Sequence, residues 1–197
     1  MGKKDVLVGA SIGFLTGLLF WGISLNLSLN IPYLWLAPLV FPLLSGIGTA
    51  VAMLLSKRLP VLFEAAKFLL VGGLNTFVDL GILNLLIFTS GVATGGLFTL
   101  FKAVSFTGAV LNSYLFNKFW TFEEKEEKGL GAEFTQFVVV SLAGFLLNVG
   151  TATLMVNAIG PQFGLSPTLW ANVGALAATF VAMTWNFLGY KLIVFKS

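Results

Sequence analysis

The sequence predicts an all-α integral membrane protein with six transmembrane helices. Three observations predict it. Hydrophobic residues make up 57% of the 197 residues and charged residues 10%, where soluble domains carry roughly 25% charge. The apolar residues come in runs of about 20, the length of helix needed to cross a hydrocarbon core about 30 Å thick. Threaded alternately, those runs leave nearly all the basic residues on one side. A chain of this length has too few polar residues to coat one globular core. The runs are also too long and too uniform to be barrel strands.

The six windows are Val6 to Leu25, Ile31 to Leu55, Ala66 to Phe88, Leu97 to Phe119, Phe134 to Asn157 and Thr168 to Tyr190. The first is longer than the apolar core of a signal peptide, so it reads as an uncleaved span. Its Gly9, Gly13 and Gly17 form a small-residue stripe that admits a close neighbour. Packing on the next helix is the favoured use of that stripe, and a homo-oligomer seam is the other. Pro38 and Pro42 fall inside the second window and predict a kink. Neither of these windows holds an ionisable residue. Residues 1–60 therefore read as a two-helix N-terminal extension, and residues 61–197 as a four-helix domain.

That domain looks internally duplicated. At an offset of 69 residues, Lys67–Gly72 aligns with Gln136–Ser141, Asp79 with Asn148 and Gly81 with Gly150. Lys118–Phe122 resembles Lys191–Phe195. Two helices separate equivalent points, so the two hairpins run the same way through the membrane, as a parallel repeat.

Ten of the 11 basic residues fall on one side of a six-helix arrangement, and only Lys102 falls toward the other. The bias predicts a multi-pass protein of the cytoplasmic (inner) membrane with both termini cytoplasmic. The composition also excludes whole classes of function. With no cysteine and no histidine, the chain has no thiol or imidazole catalysis and no metal site built on those ligands. Five of its eight acidic residues lie in one loop, Glu123 to Glu133, which leaves little for a hydrolase. No cofactor and no nucleic-acid partner is expected. The basic ends suit anionic membrane lipids.

Polar groups in the apolar windows carry the functional expectation, because in lipid they are costly and turn inward. Asp79 is the one carboxylate well inside a window. Lys102 lies at a depth where the two can meet. Asn75 shares the face of Asp79, one helical turn away. Lys102, Ser105, Ala109 and Asn112 share a face of the fourth window, Ser141, Gly144, Asn148 and Thr151 of the fifth, and Asn172, Thr179 and Asn186 of the sixth. Interhelical glue is the favoured reading for any single amide. A binding role is favoured for Asp79 and Lys102, with a neutralising pair as the competitor. Lys118 and Lys191 fit either headgroup anchoring or contact with a lipid phosphate. Trp120 and Trp170 read as interfacial belt residues.

Residues 66–195 resemble the GtrA family of small membrane proteins. The resemblance lies in Lys67-Phe68-Leu69-Leu70-Val71-Gly72-Gly73-Leu74-Asn75-Thr76 with Asp79 following, in Asn112 through Phe122, and in Asn186-Phe187-Leu188-Gly189-Tyr190-Lys191 ending at Phe195. It implies a four-helix membrane unit that moves polyprenyl-phosphate-linked monosaccharides for cell-surface polysaccharide synthesis, without enzymatic chemistry. The substrate-binding set is then Asp79, Lys102, Asn75, Asn112, Asn148, Asn186, Lys118 and Lys191. Two alternatives stand beside it: a membrane anchor for a separate glycosyltransferase partner, and a small-multidrug-type exporter. The two N-terminal helices depart from the family pattern.

Overall fold

Each apolar window becomes a helix, because a backbone in lipid must satisfy its own hydrogen bonds. In the computed structural model, residues 2–57, 61–121 and 132–189 are described. The helices are α1 (Lys3–Asn26), α2 (Ala37–Leu55), α3 (Val61–Ser90), α4 (Gly95–Phe116), α5 (Ala132–Thr153) and α6 (Pro167–Gly189). A 3-10 turn, Leu34–Leu36, leads into α2, and π-helical segments Asn117–Thr121 and Leu154–Ile159 extend α4 and α5. No strand occurs among the described residues.

Among the described residues, five helical segments are long and apolar enough to cross a membrane: Lys3–Asn26, Leu34–Leu55, Leu62–Ser90, Val139–Ile159 and Pro167–Trp185. The fourth helix has the length, 22 residues, or about 33 Å at 1.5 Å per residue. Its Lys102, Ser105, Asn112 and Ser113 make it too polar to qualify by composition. Large apolar side chains such as Leu43, Ile47, Leu69, Phe88, Leu146 and Phe180 stand exposed, a surface that only lipid or another protein can cover. The chain is a multi-pass integral membrane protein.

The chain divides into two compact units, Met1–Gly81 with Gly108–Glu124, and Ile82–Thr107 with Lys125–Ser197. In the first unit, α1 presents two faces. Its glycine face meets α2: a Cβ on Gly17 would stand 2.5 Å from the Ala37 carbonyl oxygen, while Gly9 faces Thr49 and Gly13 faces Ser45 and Phe41. The small-residue stripe is therefore used within the chain, by a neighbouring helix packed against its backbone. The other face of α1 carries Val8, Ile12 and Leu19 into a core with Leu70, Val71, Leu74 and Val78 of α3, Phe116 and Trp120. Phe20 joins the two faces, stacking on Phe41 at 5.9 Å and meeting Phe77 edge-on at 5.7 Å.

The kink expected from two internal prolines reduces to one. α2 begins at Ala37, so Pro38 occupies its first turn, where a missing N–H costs nothing. Only Pro42 lies inside the helix. Ser45 Oγ donates to the Phe41 and Pro42 carbonyls at 2.7 and 3.3 Å.

In the second unit, α6 packs an alanine stripe, Ala171, Ala175, Ala178 and Ala182, at complete or near-complete burial. Gly174 takes Val156 and Met155 at close range. Beside the stripe, Asn84 of α3 and Asn172 of α6 exchange hydrogen bonds of 2.6 and 3.1 Å. At one end of the unit, Asn157 holds both the Gly95 N–H and the Gly95 carbonyl, at 2.6 and 3.0 Å, tying the start of α4 to the end of α5.

Two expectations follow from this packing. Gly13→Leu forces a branched side chain into the Phe41 backbone and lowers the thermal midpoint in detergent, by an overpacking cost of about 1–3 kcal/mol. Gly22→Leu, which meets nothing within 4 Å, leaves the midpoint unchanged. Asn84→Ala and Asn172→Ala each destabilise by about 1–2 kcal/mol by orphaning the partner amide. Their double-mutant cycle in SDS unfolding returns a coupling of about 0.6–1.7 kcal/mol.

Candidate functional site

Polar side chains in the interior of an apolar bundle define the candidate site, and the two units hold different sets. In the first unit, Asn75 of α3 and Asn112 of α4 meet directly, Asn112 Nδ2 donating to Asn75 Oδ1 at 2.6 Å. The pairing follows from register, since the two residues lie on facing stripes of an antiparallel helical hairpin. Asp79, one turn beyond Asn75 on the same stripe, is 3% exposed. A carboxylate so far from water in a membrane span requires polar company, and Asp79 has it.

The second unit holds Lys102, Ser105 and Asn148, each 0% exposed. Lys102 lies about two turns into α4. Its ammonium is 5.9 Å from the Phe106 ring, within the range of a cation–π attraction. Ser105 Oγ bonds the Lys102 carbonyl at 3.1 Å. Asn148 sits on the stripe Val140, Gly144, Asn148, Ala152 and Val156, which runs buried along α5. Its Oδ1 and Nδ2 are both buried without a hydrogen-bond partner. Orphaned buried amides are rare and each costs about 1–3 kcal/mol. An amide with two donors and an acceptor open inside a membrane span is a ready receiver for hydroxyl groups.

Asp79 belongs to the first unit and Lys102 to the second, and both are buried. The side chains of Lys118 and Asn186, and the whole of Lys191, lie outside the described residues.

The first unit also contains a cluster that the windows did not bring out. Asp5 of α1 forms a buried ion pair with Lys67 of α3, Nζ to Oδ1 at 2.9 Å. The Lys67 ammonium also donates to the Trp120 carbonyl at 3.0 Å. It stands 4.7 Å from the Phe63 ring and 5.3 Å from the Trp120 ring. The Trp120 indole N–H completes the circuit by donating to Asp5 Oδ1 at 3.2 Å. Gly2 N–H caps Asp5 Oδ2 at 2.9 Å.

Trp120 and Trp170 are both buried rather than set in an interfacial belt. Trp170 donates its indole N–H to the Met155 carbonyl at 2.7 Å. Trp170 thus shares the Met155 carbonyl with the Gly160 N–H, and in each case the indole finds an acceptor inside the protein, which outweighs placement among headgroups. Tyr33 and Trp35, by contrast, are exposed beside the 3-10 turn.

These features can be set beside known proteins. A family model described as the GtrA/DPMS transmembrane domain matches residues 67–195. An uncharacterized membrane protein of Bacillus subtilis (strain 168), YngA, is 30% identical over 129 residues, which cover 66% of this chain and 77% of the relative. No solved structure matches significantly. The matched span begins at Lys67, takes in the Asn75–Asn112 pair, Asp79, Lys102 and Asn148, and leaves α1, α2 and Asp5 outside. On the extent of that match, the chain belongs to the GtrA/DPMS transmembrane domain family.

Proposed function

We propose that this protein moves polyprenyl-phosphate-linked monosaccharides across the cytoplasmic membrane for the synthesis of cell-surface glycans, as a carrier and not as an enzyme. The observation that carries the reading is Asn148. Its amide is fully buried in an apolar span, with neither polar atom engaged. A sugar crossing lipid must exchange the hydrogen bonds its hydroxyls make with water for others inside the protein. Asn148 offers two donors and an acceptor for that exchange at no cost in broken internal bonds. Family membership supports the reading through the resemblance on which the sequence was first placed.

Within the second unit, Lys102 attracts the lipid phosphate and Asn148 receives sugar hydroxyls, while the polyprenyl tail stays in the surrounding lipid. In the first unit, Asn75, Asn112 and Asp79 supply further polar contacts. Asn75 and Asn112 must first give up their mutual bond. Lys118 and Lys191 draw the phosphate to the cytoplasmic headgroup level.

The test is reconstitution into liposomes with a fluorescent polyprenyl-phosphate sugar, scored by the fraction of probe that becomes accessible to a membrane-impermeant quencher. Asn148→Ala removes the orphaned amide. The variant is expected to unfold no earlier than the parent, since the buried desolvation penalty disappears. Its translocation is expected to fall about tenfold, the worth of one lost hydrogen bond of roughly 1.4 kcal/mol. Translocation at the parental rate in Asn148→Ala would remove the observation on which the reading stands.

A further inference from the structure

The Asp5–Lys67–Trp120 cluster joins a residue of the N-terminal extension to two residues of the family domain. Taken without Asp5, the domain side of the cluster has the chemistry of an anion site. Lys67 is 4% exposed, and its ammonium stands over both the Phe63 and the Trp120 ring. The Trp120 indole N–H points at the same acceptor atom, Asp5 Oδ1, that Lys67 reaches. Two donors from two different segments thus converge on one anionic oxygen. Thr121, the next residue, is buried, and its hydroxyl has no partner. The neighbouring Asn117 Oδ1 is likewise buried and unpartnered.

A buried ammonium, an indole N–H and an open hydroxyl suit an oxyanion with more than two oxygens. A carboxylate engages the first two donors and leaves the third unused. A phosphate monoester has three terminal oxygens, enough for the ammonium, the indole and one further donor. The location suits such a group, because Lys67 lies five residues inside the span Leu62–Ser90, roughly 8 Å from its end. That is near headgroup depth, on the side where the basic residues collect.

We propose that Lys67, Trp120 and Thr121 form a binding site for the phosphate group of a membrane lipid, and that Asp5 of the N-terminal extension occupies this site as a tethered competitor. The extension then regulates access: lipid phosphate enters only when the first turn of α1 releases the ammonium. The inference rests on the proposed function only for the identity of the lipid tail. The anion site itself is independent of transport.

The experiment titrates the full-length protein in detergent with polyprenyl phosphate and with phosphatidic acid, which carry the same monoester on different tails. Inorganic phosphate and uncharged polyprenol are titrated alongside, and binding is read by native mass spectrometry. Asp5→Asn keeps the side-chain shape and an acceptor for Trp120 but loses the charge. If the competitor holds the site nine-tenths of the time or more, the variant binds phosphate lipids at least about tenfold more tightly than the parent. Polyprenol binding does not change, and the gain disappears in Asp5→Asn with Lys67→Gln.

A gain confined to the two lipids assigns the site to headgroups, and an equal gain with inorganic phosphate assigns it to free anions. Equal affinity of parent and Asp5→Asn overturns the proposal, as does a gain that survives Lys67→Gln. Should Asp5→Asn misfold, Asp5→Ser, which retains a capping oxygen at the first turn, repeats the comparison. Tighter binding with no translocation in liposomes would retain the site and reject the transport reading. Translocation without any gain in binding would do the reverse.

Discussion

Lipid tails are as apolar as leucine, so helices in a bilayer gain little by hiding apolar faces from them. What holds this protein together must come from close backbone approach and from polar groups that have no water to turn to. Both are visible, and they divide the labour. Gly9, Gly13 and Gly17 let α1 lie against α2 with backbone nearly touching backbone. The alanine stripe of α6 serves the second unit in the same way. The amide pairs and the Asp5–Lys67 ion pair then fix register, since sliding a helix by one residue would break them.

This constraint also separates glue from site. Asn84 and Asn172 bond each other, and Asn172 also donates to the Thr168 carbonyl, so these amides are engaged inside the protein. Asn157 is spent on the backbone of Gly95. Asn148, Asn117 Oδ1 and Thr121 are different, for they are buried and open. In water an open polar atom is unremarkable. In a membrane interior it is a cost that the sequence could have removed with one substitution, and that makes it informative.

Hydropathy and charge bias made most of the fold legible in the sequence. Among the described residues six apolar windows became six helices, with ends displaced by no more than six residues. The burial of Lys102, Ser105, Ala109 and Asn148 followed from helical periodicity. The pairing of Asn75 with Asn112 was foreshadowed only as a convergence of faces. Three things were hidden. Asp5 lies one residue before the first apolar window and so looked like part of a charged start, although α1 begins at Lys3. Lys67 resembled any positive-inside lysine, because nothing local shows which carboxylate a lysine will meet. Asn84 stands in a run of leucines, and its partner is 88 positions away. Local signals set windows and faces, whereas long-range pairs depend on which helices become neighbours.

That separation along the chain has a consequence in time. A ribosome adds about 5–20 residues per second, so Asn84 leaves it roughly 4–18 s before Asn172 exists. Asp5 waits still longer for Trp120, 115 residues downstream. During that interval α1 and α2 can already close along their glycine face, which needs no later partner. The polar groups of the earlier helices must meanwhile be tolerated in the bilayer, or be kept at its edge or beside the insertion machinery. Uncharged amides bear such a delay at lower cost than ions. Asp5 sits at the very start of its helix, where headgroups and water can attend it until Lys67 arrives.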